Sequence, residues 1–193
     1  KGVDMLIKAY SQLLNHTLQR GRGVSDRSSV YNPVKGIDIH NTTVPRLVIA
    51  GPGLETSYGS SIKKMVEGDP VLKNFIFFPG MLAGDEKWGA FYGCEAFILP
   101  SHQENFGIAV VEALACCKPV LISNRVNIWR EIEAGGGCIV AADSQSGVCE
   151  MISKWLQLSD AEKQMMVHNA GVTYEKYFAC RPAAERFYEA VCN

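Results

Sequence analysis

The sequence predicts an α/β domain, a parallel sheet with helices on both faces. Three observations carry that prediction. Short apolar runs recur at 47–50, 75–78, 96–99, 120–122 and 138–140, and each gives way to a segment of helical period. The runs are apolar throughout instead of alternating, which is the pattern of strands buried on both faces beneath helices. The chain has 193 residues, 47% of them hydrophobic, which suits one domain with a packed core and excludes disorder for its bulk.

The elements follow in order. Val3, Leu6, Ile7, Tyr10, Leu13 and Leu14 recur at helical spacing and predict an amphipathic helix over 3–15. Residues 16–44 have no clean period and carry Gly21, Gly23, Pro33 and Gly36 among polar residues, which reads as an insertion or a mobile loop. Arg20, Arg22, Arg27 and Lys35 make that loop either a solvated basic segment or a contact for an acceptor or partner. The strand at 47–50 stops at Gly51-Pro52-Gly53, and a helix follows near 57–67. The strand at 75–78 stops at Pro79-Gly80, with a helix near 84–93. The strand at 96–99 stops at Pro100, and a helix is expected over 106–117. A strand at 120–122, a short helix near 127–134 and a strand at 138–140 come next. Helices near 145–158, 160–177 and 183–191 close the chain. The opening Lys1-Gly2, with no initiating Met and no leader, reads as a piece of a longer protein.

Charge and composition narrow the function classes. Lys+Arg is 19 and Asp+Glu 20, a net charge of -1, where a general nucleic-acid or membrane-surface binder would be more basic. No apolar run approaches the roughly 20 residues that span a bilayer. The 7 cysteines form no C-x-x-C pair and mostly lie in apolar runs, so buried, reduced thiols and a reducing compartment are expected. The 4 histidines are scattered, which disfavours a zinc site. No G-x-G-x-x-G follows a strand, which argues against a dinucleotide oxidoreductase.

In a parallel α/β sheet, ligands sit outside the carboxyl ends of the strands, so the loops at 51–57, 79–85, 100–106 and 123–127 are the places for a site. The most informative stretch is Pro-Ser-His-Gln-Glu-Asn-Phe-Gly over 100–107, a strand end and polar turn leading into a helix that carries Glu112. A helix N-terminus offers free N–H groups and partial positive charge, which suit a phosphate. Gly107 lets a ligand approach the backbone closely. Glu104 and Glu112 would stand roughly 12 Å apart along the axis if the span is helical. That is too long for a glycosidase-type pair, which needs about 5–10 Å, and suits gripping hydroxyls at the two ends of a pyrophosphate. His102 either bonds the turn or touches a ligand, and Trp129 is expected to pack instead of meeting substrate.

Glu104-x7-Glu112 within Pro-Ser-x-x-Glu-Asn-Phe-Gly, followed by Glu-Ala-Leu-Ala and Pro119-Val120, resembles the signature of family 4 retaining glycosyltransferases of GT-B fold. The resemblance covers nearly the whole chain outside 16–44. It implies that residues 1–193 are the Rossmann-like, nucleotide-sugar-binding C-terminal half of such an enzyme. The domain's first strand and the N-terminal acceptor domain would lie outside the chain. The resemblance implies that Glu104 contacts donor-sugar hydroxyls and Glu112 the ribose. Backbone amides at Asn105, Phe106, Gly107 and Ile108 would line the sugar and diphosphate. Lys1 would bind the diphosphate, which makes Lys1 and Glu104 the candidate catalytic residues. Met81 and Leu82 would frame the base, with Lys87 as a further contact and Gly51 on the same rim. Cys117 stands where the family usually has Gly, at a left-handed helix end, and is expected to be tolerated there at something like 1 kcal/mol.

The implied chemistry is metal-independent hexosyl transfer with retention. No Asp-x-Asp pair suggests a metal, and no cofactor is expected beyond the nucleotide sugar. The implied donor is a UDP-sugar, UDP-glucose being favoured, and the acceptor a glycan or lipid-linked saccharide in polysaccharide biosynthesis. The implied setting is cytoplasmic, at the inner face of the membrane, with no nucleic-acid partner. A GDP-mannose-dependent mannosyltransferase and a non-catalytic nucleotide-sugar-binding module remain open at this stage.

Overall fold

The computed structural model describes residues 2–21 and 44–192. Lys1 and the loop residues Arg22, Arg27 and Lys35 lie outside the described residues. Helix α1 is Val3–Gly21. It runs past the expected end at 15: Leu18 follows Leu14 by four, and Leu18, Gln19 and Arg20 are residues of high helix propensity.

Strand β1, Leu47–Ala50, pairs in parallel with β2, Ile76–Gly80, with Leu47 opposite Ile76 and Val48 opposite Phe77. Strands β3, Phe97–Leu99, β4, Val120–Ser123, and β5, Cys138–Ala141, pair in parallel in that order. Every strand pair is therefore parallel, as the apolar runs predict. The expected single sheet is instead two hydrogen-bonded pieces among the described residues.

Helices α2, Ser57–Glu67, α3, Gly84–Gly93, α4, Ile108–Ala115, and α5, Trp129–Gly135, each follow a strand. Helices α6, Gln145–Gln157, α7, Asp160–Tyr177, and α8, Cys180–Cys192, close the chain. On one face of the larger piece, Leu6 and Ala9 of α1 meet Leu121 together with Val148, Met151 and Trp155 of α6. On the other face Val120 and Ile122 pack against Val110 and Leu114 of α4, Ile132 of α5 and Ala170 of α7. The alternation Val120, Leu121, Ile122 thus feeds two cores, and all of β4 is buried. Helix α1 also covers the smaller piece, where Ile7, Tyr10 and Leu14 join Ile62, Val66 and Ile76. The Tyr10 hydroxyl donates to the Pro45 carbonyl at 2.5 Å, and burial pushes its pKa up to about 12, so it stays a neutral donor.

Two expectations need correction. Strands β1 and β2 are not buried on both faces: Val48 is 57% and Phe77 41% exposed, with the Arg46 guanidinium 5.6 Å from the Phe77 ring centre. A strand's face is buried only where a helix lies on it, and among the described residues the helices that meet this piece cover one side. Nor are all the thiols buried. Cys116 and Cys149 are buried, Cys94 and Cys138 half-buried, and Cys117, Cys180 and Cys192 exposed. Burial pushes Cys138 up to about 12, which keeps it an inert thiol.

Candidate functional site

The polar turn after β3 is held by the loop after β4. Glu104 N–H donates to the Arg125 carbonyl at 3.1 Å, and Asn127 N–H donates to the Glu104 carbonyl at 3.0 Å, which forms a parallel bridge between Glu104 and Val126. Below it the buried Ser123 hydroxyl donates to the Ser101 carbonyl, and the Ser101 hydroxyl donates to the Gln103 carbonyl. Glu104 therefore sits on a backbone fixed from two strand ends. Its separation from Glu112 is not a helical rise, because α4 begins only at Ile108. The premise of a mostly helical span fails there.

Gly107 opens α4 in the left-handed conformation, φ 72 and ψ 57. A Cβ there would lie 3.3 Å from side-chain atoms of Val110 and Val126 and 3.4 Å from Glu104 Cγ. Glycine is thus favoured by backbone and packing together. The Gly107 carbonyl accepts from Val110 and Val111, so the amides of Ile108 and Ala109 precede the first helical bond. Asn105, Phe106 and Ile108 are exposed around this helix end, and Phe106 meets Phe178 edge-on at 6.2 Å.

Glu112 lies on the second turn of α4, and its Oε1 is 2.7 Å from Lys87 Nζ of α3. That ammonium also lies 4.4 Å from the Trp88 ring centre. Met81 is exposed and Leu82 half-buried in the loop between β2 and α3. Gly51 has φ 144, and its N–H donates to the Gly80 carbonyl at 2.8 Å, joining the ends of β1 and β2.

Several contacts at this edge escaped the sequence reading. His102 Nδ1 is 2.9 Å from Asp143 Oδ1, tying the loop after β3 to the loop after β5. The Tyr58 hydroxyl donates to Asp4 Oδ1 at 3.0 Å and accepts from Asp4 N–H at 3.2 Å. The amino ends of α1 and α2 therefore touch. Gly2, at φ 68, is so close to β3 that a Cβ would fall 2.0 Å from the Pro100 carbonyl oxygen. The only early signal for these was position: each residue lies within a few places of a strand end or helix start. Trp129 packs into the core beside Ile132, as expected, with Arg130 4.5 Å from its ring centre.

The carboxyl edge thus gathers Glu104, the open amino end of α4, the Lys87–Glu112 pair and the amino end of α1 against Pro100. In a parallel α/β fold this carboxyl edge is where ligands bind, and a helix amino end there offers N–H groups suited to an anion.

Residues 1–171 match the family described as glycosyl transferases group 1. The chain is 26% identical over 133 residues to the O-antigen chain mannosyltransferase RfbU of Salmonella typhimurium, covering 69% of this chain and 36% of that protein. It therefore spans about a third of that curated relative's length. Among solved structures, a glycosyltransferase from Rickettsia africae superposes with a TM-score of 0.72 at 15% identity, over 100% of this chain and 45% of that one. Anabaena HepE, solved in complex with UDP and glucose, superposes at 0.67 with 19% identity, over 96% of this chain and 54% of that one. These likenesses establish a shared GT-B glycosyltransferase fold.

Proposed function

The chain belongs to the group 1 glycosyl transferases, and from that premise we propose that it is the donor-binding domain of a retaining, metal-independent hexosyltransferase. Its donor in this reading is a nucleotide-diphosphate sugar, a UDP-sugar and UDP-glucose by preference. The observation that carries the reading is the amino end of α4, opened by left-handed Gly107 and flanked by Glu104 on a fixed backbone and by Glu112. Glu112 grips the ribose hydroxyls and Glu104 those of the donor sugar. The amides from Asn105 to Ile108 meet the diphosphate, Met81 and Leu82 frame the base, and Gly51 lies on the rim. Lys1 adds a cation at the diphosphate.

The chemical burden is a nucleoside diphosphate that gains negative charge as it leaves. Donors already aimed at that charge stabilise the transition state. An ammonium and helix amides do this without a metal ion, and Glu104 orients the sugar. The leaving phosphate helps deprotonate the acceptor, a glycan or lipid-linked saccharide of polysaccharide biosynthesis on the cytoplasmic side. No described helix is long and apolar enough to cross a membrane.

The reading extends to the missing machinery. Neither β1 nor β3 has a strand partner on its facing edge among the described residues, yet Leu47 and Ile98 both pack against the core beneath α1. The position between them suits one further parallel strand, ending near Pro100 where Gly2 turns into α1. We assign that strand, and the acceptor-binding domain, to polypeptide preceding Lys1. This chain then binds nucleotide but transfers little or no sugar by itself.

A second reading, transfer of mannose from GDP-mannose, is favoured by the name of the Salmonella relative. Calorimetric titration with UDP, GDP and ADP, in EDTA and then in Mg²⁺, separates the two. Metal-independent binding of one nucleotide, weakened about tenfold or more by Glu112→Ala, is the expected result. Binding that needs Mg²⁺, or that ignores Glu112→Ala, would sink the proposed donor site. Sugar transfer at an ordinary rate by this chain alone would sink the assignment of the acceptor domain.

A further inference from the structure

We propose that Lys87 is a positioning residue that holds the Glu112 carboxylate for the ribose diol. The inference rests on the ribose role given to Glu112 above. Its ground is the form of the ion pair. The Lys8–Asp4, Lys63–Glu67 and Lys154–Glu150 pairs each join residues four apart on one helix, with lysine side chains 47%, 56% and 53% exposed. Such pairs hold their partners weakly, because water competes and the side chains stay mobile. Lys87–Glu112 differs from them in span and in burial. It joins α3 to α4 across 25 residues of sequence at 2.7 Å, with side chains only 34% and 24% exposed. The ammonium is also 4.4 Å from the Trp88 ring centre, so a third group confines it.

A half-buried glutamate without an ionic partner still samples several rotamers, and gripping a vicinal diol requires one. An ammonium on Oε1 selects that rotamer before the ligand arrives, while Oε2 keeps its lone pairs for a hydroxyl. The pair also joins the helix that follows the Met81–Leu82 loop to the helix that carries Glu112. The wall proposed for the base and the grip proposed for the ribose are therefore set in one register. Lys87 acts through Glu112 and needs no contact with the nucleotide.

The test is the affinity ratio between a nucleoside diphosphate and its 2′,3′-dideoxy form, measured by calorimetry with UDP and with GDP. The ratio reads the ribose grip and ignores the base and phosphates. On the order of tenfold is expected for the parent chain, the worth of a charge-assisted hydrogen bond. E112Q should bring the ratio close to one. K87M should bring it down about as far, the K87M/E112Q pair should lose nothing more, and K87R should keep most of it. Equal weakening of both nucleotides by K87M, or an unchanged ratio, overturns the positioning role, since a phosphate contact or a merely structural one acts on both forms alike. Normal UDP binding with the ratio intact in E112Q overturns the ribose reading itself. Failure of both diphosphates to bind the parent overturns the donor site and the positioning role together.

Discussion

Cys117 turns the chain between α4 and β4 at φ 55, the left-handed region that disfavours a side chain. Lys118 N–H donates to the Ala113 carbonyl and Cys117 N–H to that of Leu114, both at 2.9 Å, which is the Schellman pattern of a helix end. The sequence pointed to this conformation through the residue's place at the end of the signature helix. Its Sγ would lie 2.8 Å from a Cβ at Gly171, so the thiol rests against α7. Relief of backbone strain and loss of that contact oppose one another in Cys117→Gly. The strain is the larger because the residue is exposed, and the variant should gain about 1 kcal/mol in urea denaturation. A lower midpoint would show that the thiol's packing dominates. The Glu104-x7-Glu112 spacing could be read from the sequence because a motif is local. The long-range pairs at this edge could not be read that way: Lys87 lies 25 residues from Glu112, and Asp143 lies 41 from His102.

At the scale of elements, helix starts follow from local hydrogen bonding. Ser159 caps α7 with a reciprocal box. Its hydroxyl accepts from Glu162 N–H at 3.3 Å, and the Glu162 carboxylate accepts from Ser159 N–H at 2.7 Å. Those bonds from Ser159 hold the Glu162 carboxyl below its ordinary range. A depressed acid stabilises the fold above its unfolded pKa, and that contribution fades as pH falls through the folded value. Ser159→Ala should cost about 1 kcal/mol at neutral pH, measured by urea denaturation. The deficit should shrink in acid, and one that grew there would refute the box as its source. Other helix ends departed from the expected bounds. Helix α1 runs past its expected end at 15, and α4 starts two residues later than expected because Gly107 accepts the first helical bonds.

At the scale of the whole molecule the open edge decides the behaviour. Leu47 and Gly51 donate toward β2, so by alternation the amides of Val48 and Ala50 point to the other side of β1. Phe97 donates toward β4, which turns the Ile98 amide to the facing edge of β3. Among the described residues no strand pairs with either edge. Hydrogen exchange of this chain should therefore be fast at Val48, Ala50 and Ile98 and slow at Leu121 in fully buried β4. A longer polypeptide that supplies the strand proposed for that slot should slow the first three. Slow exchange at all of them in this chain would mean that the slot is already filled.

The alternation of apolar runs with helical segments and the parallel α/β class were determined by the sequence alone. Each depends on periods and turn residues within a few positions. The tertiary structure decided the division of the sheet, the open face at Val48 and Phe77, and the Lys87–Glu112 pair. It also decided why Gly135 and Gly137 are glycines: a Cβ on Gly135 would fall 1.9 Å from Thr173 Oγ1, and one on Gly137 2.8 Å from Ala170 Cα. The physical reason is common to all of these. Local hydrogen bonding and periodicity are written in neighbouring residues, whereas which distant surfaces meet depends on how the elements pack and on which face each leaves uncovered.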